Sequence, residues 1–256
     1  MPLDAKFKSL LSSNRIGMMT KMKNSFEDAA KRDQKVMVEQ LADNVTLYCG
    51  DSAEVLPTLK KAHKIDAVVT DPPYGISMDK RNDSEANQKH GWSNFAGVPQ
   101  GWDKKRPPQK LIQDIVGLGK PTIIWGGNYF IDWLAAGTKW LIWDKMQEDF
   151  SLADAELAWC SFDGAIRRIG VSRGHALQDG KEHPTQKSLK VMQWCIDQQL
   201  PDPKAKIILD PFCGSGTTGV AAVSLGRGFV GIEKEPHYFE VSLRRIKKEL
   251  SQDKLF

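Results

Sequence analysis

An open, mostly parallel α/β sheet, doubly wound with helices on both faces, is the fold class this sequence predicts. Three observations carry it. Residues Ile65 to Thr70 are a short apolar, β-branched run broken at once by Asp71-Pro72-Pro73-Tyr74-Gly75, the signature of a buried strand and its turn. Ile207-Ile208-Leu209-Asp210 is a second such run, followed by the glycines Gly214, Gly216 and Gly219 and then by Val220 to Leu225. That order reads strand, glycine turn, helix. Strand and helix patterns also alternate from Val45 onward, which favours parallel pairing through crossover connections.

Composition sets the limits. The 256 residues suit one α/β domain with additions, and 41% hydrophobic with 27% charged residues allow a full core. The net charge of +4 permits a polyanionic partner. Cys49, Cys160, Cys195 and Cys213 form no Cys-x-x-Cys pair, so neither a metal site nor a disulfide framework is indicated. No apolar run has the length of a membrane span, and the first residues lack a signal-peptide pattern. A cytoplasmic protein is expected.

Taken in order, residues 1–44 read as a basic N-terminal helical extension, with Ser25 as an N-cap and a loose stripe of Phe26, Ala29, Ala30, Met37 and Leu41. Val45 to Cys49 is the first strand of the sheet, and Ser52 caps the helix Ala53 to Leu59. The strand ending at Asp71 follows, so that Asp51 and Asp71 end successive strands on one sheet edge. Residues 76–107 make a long loop mixing basic and aromatic side chains, Trp92, Trp102, Lys104, Lys105 and Arg106 among them. Such a loop beside a site suits a lid that tracks phosphates and stacks on bases. Leu111 to Leu118 reads as a helix, Thr122 to Trp125 as a strand, and Tyr129 to Ala135 as a helix. Lys139 to Asp144 and Glu156 to Phe162 read as strands, and the turn at Asp163-Gly164 makes Ile166 to Val171 a hairpin partner. Arg167, Arg168 and Arg173 give that region a positive face. The helical stripe Leu189 to Leu200, the strand Gly228 to Ile232 and the amphipathic helix Tyr238 to Leu250 complete the domain at residue 250, leaving 251–256 as a tail.

Chemistry concentrates at two strand ends. Proline fixes φ and lacks an N–H, so Pro72-Pro73 makes a stiff turn with uncommitted carbonyls. The Asp71 carboxylate and the Pro72 carbonyl then form a rigid acceptor pair beside the ring of Tyr74, suited to a planar group bearing an NH2. The glycine turn has the spacing Gly-x-Gly-x-x-Gly, and Glu233 ends the next strand where such folds hold a ribose. An adenosine-type cofactor follows, either a dinucleotide or S-adenosylmethionine.

Asp71-Pro72-Pro73-Tyr74, His183-Pro184-Thr185-Gln186-Lys187 and Asp210-Pro211-Phe212-Cys213-Gly214-Ser215-Gly216-Thr217 together resemble the three signatures of the amino-group DNA methyltransferases. With the Asp-Pro-Pro-Tyr motif upstream of the glycine turn, the order is similar to the β-class, a circular permutation seen in many small phage and bacterial restriction-modification members. The resemblance covers roughly residues 45–250. It implies a Rossmann-like fold, S-adenosylmethionine as methyl donor, and double-stranded DNA as partner. It implies that Glu233 holds the ribose, that Asp51 lies near the adenine, and that Phe212, Gly214, Gly216, Thr217, Thr185 and Lys187 surround the methionine end. The motif residues Asp71, Gln186, Asp210 and Ser215 join the same cofactor site. Ser188 stands where the family often has proline.

The implied reaction is methyl transfer to the N6 amino group of adenine, with the base flipped out of the duplex against Tyr74. N4-cytosine methylation is the alternative, and Asp rather than Ser at the first motif position favours adenine. Carbon-5 methylation needs a thiolate nucleophile, and no Pro-Cys pair is present. A nicotinamide-dependent dehydrogenase would share the glycine turn but would leave Asp71 to Tyr74 and His183 to Lys187 unexplained. A non-catalytic DNA-binding protein fits poorly with intact motifs. Residues 163–182 offer only a short target-recognition segment, which suggests a short or relaxed target. A homodimer is compatible with the sequence, which does not identify a partner endonuclease.

Overall fold

Strands whose residues are apolar without alternation lie at the centre of a single sheet, as expected where both faces are covered. The computed structural model describes residues 36–77, 101, 103–147, 153–172 and 186–252. Met37–Phe256 forms one compact unit. Its nine described strands are β1 (Met37–Ala42), β2 (Val45–Cys49), β3 (Ala67–Thr70), β4 (Thr122–Trp125), β5 (Trp140–Asp144), β6 (Ala155–Cys160), β7 (Arg167–Gly170), β8 (Ile207–Asp210) and β9 (Gly228–Glu233). They stand in the order β1-β2-β9-β8-β3-β4-β6-β5-β7.

Five neighbouring strands, β2, β9, β8, β3 and β4, run parallel, so their carboxyl ends share one edge. The chain steps from β3 to β4 in one direction and from β8 to β9 in the other. The winding therefore reverses between β8 and β3. In open α/β sheets a crevice forms at such a switch point, outside the carboxyl ends. The fold is the circularly permuted doubly wound architecture expected above.

The core follows from the composition of these strands. Ala67, Val68, Val69 and Thr70 are buried, as are Thr122 to Trp125. Burying each large apolar side chain contributes roughly 1.5–3 kcal/mol. β5 alternates buried and half-buried residues, which marks a strand with one face nearer solvent. Five α-helices among the described residues flank the sheet segments: α1 (Ser52–Ala62), α2 (Gln109–Val116), α3 (Leu189–Trp194), α4 (Thr217–Ser224) and α5 (Pro236–Leu250). α3 continues into a π-helical turn, Cys195–Gln199. Gly219 lets α4 approach the sheet, because a Cβ there would meet Phe229 at 2.7 Å and Ile246 at 2.4 Å. All four cysteines are buried free thiols. No helix of the described residues is long and apolar enough to cross a membrane.

Several local expectations are corrected. The sheet starts at Met37, not Val45: Met37 and Leu41 belong to a strand antiparallel to β2, not to a helical stripe. An apolar spacing of four suits either element, and the adjacent edge of β2 decides. β2 and β3 are parallel but not paired, because β9 and β8 lie between them. Asp51, not Ser52, is the N-cap of α1: its Oδ1 accepts from the Ala53 N–H at 2.9 Å, while the Ser52 hydroxyl donates to the Pro211 carbonyl. The expected helix Tyr129 to Ala135 is instead a 3-10 turn over Gly127–Tyr129 followed by bends. Finally, β7 is no hairpin partner of β6. Both edges of β6 are taken by β4 and β5, and β7 adds in parallel to β5. The N-terminal helix from Ser25, most of the lid loop (78–100), and the Arg173 to Thr185 segment lie outside the described residues.

Candidate active site

Along the shared edge, the strand ends bring Asp51, Glu233, Asp210 and Asp71 into the spatial order of β2, β9, β8 and β3. Asp71 and Asp210 are 139 positions apart in sequence yet end neighbouring parallel strands. They are also tied through Thr70, whose hydroxyl donates to Asp210 Oδ1 at 2.6 Å.

The glycine-turn side is held mainly by backbone. The Asp210 carboxylate accepts from the Phe212 N–H at 3.0 Å and the Thr218 hydroxyl at 2.6 Å, closing the turn on itself. Burial still pushes its carboxyl up to about 6 against those bonds. Glu233 accepts from the Gly214 N–H at 2.8 Å and the Glu235 N–H at 2.8 Å. Burial pushes it up to about 7, against those two donors. Gly214 has φ +52 and a Cβ there would meet nothing within 4 Å, so the turn opens onto free space beside Glu233. Gly216, at φ +81, faces Ser242 instead. Arg245 of α5 clamps the turn from behind, donating to the Ser215 carbonyl at 2.7 Å and to the hydroxyls of Ser215 and Thr217 at 3.0 and 3.1 Å. Asp51 pairs with Lys234 at 2.8 Å. That pairing and the Ala53 N–H outweigh burial and lower its pKa.

The Asp71 side is held mainly by side chains. Tyr74 Oη donates to Asp71 Oδ1 at 2.5 Å, and Lys187 Nζ donates to Asp71 Oδ2 at 2.6 Å and to Tyr74 Oη at 3.0 Å. Lys187 also lies 2.8 Å from Glu156 Oε2, and Lys145 pairs with Glu156 Oε1 at 2.7 Å. Burial raises the Asp71 carboxyl against the pull of Lys187. Burial alone would lower the Lys187 pKa, but Asp71 and Glu156 hold it well above the usual lysine range. For Glu156 the two ammoniums overcome burial and bring it down to about 2. The Tyr74 ring stacks on Tyr129, centroids 4.7 Å apart and 16° from parallel. It also lies over Gly126, where a Cβ would come within 2.0 Å of it. Asp103 fixes the end of the turn by accepting from the Gly75 N–H at 2.8 Å.

Two consecutive residues join the sides. Gln186 Oε1 accepts from the Ser215 hydroxyl at 3.3 Å, while Lys187 reaches Asp71. The structure therefore brings together Asp51, Asp71, Pro72, Pro73, Tyr74, Gln186, Lys187, Asp210, Phe212, Gly214, Ser215, Gly216, Thr217 and Glu233 at one edge. Trp92, Trp102, Arg173 and Thr185 lie outside the described residues. Lys104, Lys105 and Arg167 are exposed. Arg106, expected at a DNA surface, is engaged: it forks onto Asp132 at 2.8 Å and 3.2 Å and lies over Trp133 at 3.9 Å. Arg168 is paired with Asp144 at 2.9 Å. Sequence reasoning missed Glu156, Lys145 and Arg245. Lys145 follows β5 and Glu156 is the second residue of antiparallel β6, and an acid and a base at strand ends look like ordinary surface charges.

The sequence model of one protein family, described as DNA methylase, matches residues 99–244, more than half of the chain. Asp71 lies upstream of that stretch. The chain is 40% identical over 265 residues to the type II methyltransferase M.HinfI of Haemophilus influenzae, covering 83% of this chain and 71% of that protein. It is 27% identical over 261 residues to the type II methyltransferase M2.MboI of Moraxella bovis, covering 79% and 87%. Among solved structures, the M1.HpyAVI–SAM complex superposes with a TM-score of 0.53 at 25% identity, covering 78% of this chain and 98% of that one. The PvuII DNA methyltransferase, cytosine-N4-specific, gives 0.52 at 17% identity over 84% and 89%, a likeness of fold.

Proposed function

The chain belongs to the DNA methylase family, and from that premise we propose that it transfers a methyl group from S-adenosylmethionine to the N6 amino group of adenine in double-stranded DNA. DNA methylation with S-adenosylmethionine is the family's activity, and the choice of adenine is our reading of Asp71. With the family shown, the dehydrogenase that a lone glycine turn allows is set aside.

The observation that carries the proposal is the neighbouring of β3 and β8 at the switch point, which supports donor and acceptor loops facing one crevice. The residues on the β8–β9 side fit the donor: an open cradle at Gly214 and a buried carboxylate at Glu233 beside it. Glu233 would accept from the ribose hydroxyls, Asp51 would lie by the adenine, and Phe212, Gly216 and Thr217 would line the methionine end. When bound, S-adenosylmethionine supplies an electrophilic methyl group on a sulfonium.

On the β3 side, Asp71 and the Pro72 carbonyl would accept the two hydrogens of the target amino group. Its lone pair is delocalised into the purine, and this pairing biases the nitrogen toward a pyramidal, more nucleophilic form. The contribution is positioning plus electrostatic complementarity. A base inside a duplex cannot reach Asp71, so it must be extruded, and the Tyr74–Tyr129 stack is the platform to hold it. Lys187, assigned by motif to the methionine carboxylate, sits on Asp71 and would divide its charge between the two.

The test is mass analysis of nucleosides from unmethylated DNA incubated with the protein and S-adenosylmethionine. N6-methyladenine is the expected product. N4-methylcytosine would transfer the same chemistry to the alternative base and overturn the adenine assignment.

A further inference from the structure

Asp71 is the acceptor the proposed reaction depends on, yet both of its oxygens already hold donors. Tyr74 Oη occupies Oδ1 at 2.5 Å and the Lys187 ammonium occupies Oδ2 at 2.6 Å. A carboxylate oxygen can take a second donor, but an ammonium in direct contact neutralises the charge that makes the acceptor strong. Glu156 stands on the other side of that ammonium. Its Oε2 is buried and lies 2.8 Å from Lys187 Nζ, so that the ammonium sits between two carboxylates. Glu156 cannot swing away, because Lys145 holds its Oε1 at 2.7 Å. The geometry thus holds a second carboxylate in place against the cation that covers Asp71.

We propose that Glu156 is a positioning residue that draws the Lys187 ammonium off Asp71 Oδ2 as the target amino group arrives, exposing a charged acceptor only when a base is in place. Lys187 keeps a carboxylate partner throughout, while Asp71 keeps the Tyr74 hydroxyl and gains the target amino group as donor. The two ammoniums and two carboxylates of Lys145, Lys187, Asp71 and Glu156 balance, and the shift moves no net charge. Lys145 serves the same end one step removed, by fixing Glu156. This assignment rests on the methyl-transfer reading above.

Glu156→Gln tests it, on the full chain with unmethylated DNA. The neutral amide leaves Lys187 parked on Asp71, so kcat should fall at least about tenfold, an effect of about 1.4 kcal/mol. S-adenosylmethionine affinity, measured by calorimetry, and its KM should stay within about twofold. The pH profile carries the distinguishing readout. Lys187 faces Asp71, Tyr74 and Glu156 directly, and Lys145 through Glu156. Removing the Glu156 charge makes the Lys187 proton easier to lose, and its loss frees Asp71 without help. The ratio of wild-type to variant kcat should therefore narrow as pH rises. A merely structural role for Glu156 predicts a constant or widening ratio. Wild-type kcat in the variant, or a loss shared equally by kcat and cofactor affinity at every pH, would overturn the assignment. Should Glu156→Gln show no thermal unfolding transition, Glu156→Asp keeps the charge but retracts it. It should fold and turn over more slowly at unchanged cofactor affinity, and wild-type turnover there would equally end the idea. A wild-type protein that methylates no DNA would instead end the reading on which this rests.

Discussion

At one edge of the sheet, Glu233 is held by two backbone N–H groups and Asp71 by a phenol and an ammonium. Both are buried carboxylates at the ends of parallel strands, and the contrast separates two ways of building a site. The partners of Glu233 are Gly214, in the turn after the neighbouring strand, and Glu235, two residues along; that arrangement forms with the fold and has no alternative state. Asp71 owes its surroundings to Lys187 and, behind it, Glu156, so that three separate stretches of chain meet there. Those side chains can exchange partners. The first construction suits a ligand bound the same way on every turnover, and the second suits a group whose environment changes during one.

The strongest way to break this comparison is Asp71→Ala. Methyl transfer should fall by at least about 10²–10³-fold, the scale of losing a group that acts on the reacting atoms. Calorimetric affinity for S-adenosylmethionine should change little. Lys187 keeps Glu156 as a partner, so the fold should survive the loss of its other carboxylate. If cofactor affinity collapses together with turnover, the two sides are one interdependent unit and the contrast fails.

The same contrast governs what was legible in the sequence. Ile207 to Gly219 declares strand, turn and helix by local pattern, and Asp71-Pro72-Pro73-Tyr74 declares its turn by two prolines. Period and breaker residues act over a few positions, which is also the range of the turn they build. The neighbouring of β3 with β8 was readable because winding rules constrain strand order. Glu156 and Arg245 were not, since nothing near either residue marks it; each acquires its role from a contact more than 25 positions away. Met37–Ala42 failed for a related reason. The segment Met-Val-Glu-Gln-Leu-Ala shows no apolar-polar alternation of its own, and the open edge of β2 supplies the pairing that makes it a strand.

Gly214 and Gly216 sharpen the glycine-turn side by dividing its two tasks. Both have positive φ, +52 and +81, which costs an alanine roughly 1–2 kcal/mol. At Gly216 the new Cβ would also lie 2.8 Å from Ser242 Cβ and 2.9 Å from its Cα. Overpacking against a backbone atom adds about 1–3 kcal/mol, so Gly216→Ala should lose about 2–5 kcal/mol in denaturant unfolding. At Gly214 nothing lies within 4 Å, so Gly214→Ala should cost only the strain. Its methyl enters the cradle instead, and S-adenosylmethionine affinity should drop about tenfold, roughly 1.4 kcal/mol. Equal stability losses in the two variants would remove the distinction between a packing glycine and a ligand-facing one.

The smallest expected effect concerns the charge state of Glu233 itself. Burial raises its pKa from the ordinary 4.5 to about 7, against the Glu235 and Gly214 N–H groups. A carboxyl whose folded pKa lies above its unfolded value adds stability in full below about 4.5, and that stability is lost as pH climbs through about 7. Asp210, raised to about 6, acts in the same direction. Glu156, lowered to about 2, is ionised in both folded and unfolded chains above pH 5.5 and contributes no slope there. The ligand-free protein should therefore weaken between pH 5.5 and 8, and Glu233→Gln should weaken less. The amide loses one of the two backbone hydrogen bonds, about 1 kcal/mol, so the variant starts below wild type at pH 5.5. By pH 8 it should have overtaken wild type, a relative change on the order of 2 kcal/mol. Thermal unfolding of both proteins across that range checks it. Parallel curves would mean that Glu233 carries its charge without penalty, and that the backbone donors of the glycine turn stabilise an anion as fully as the ammonium beside Asp71.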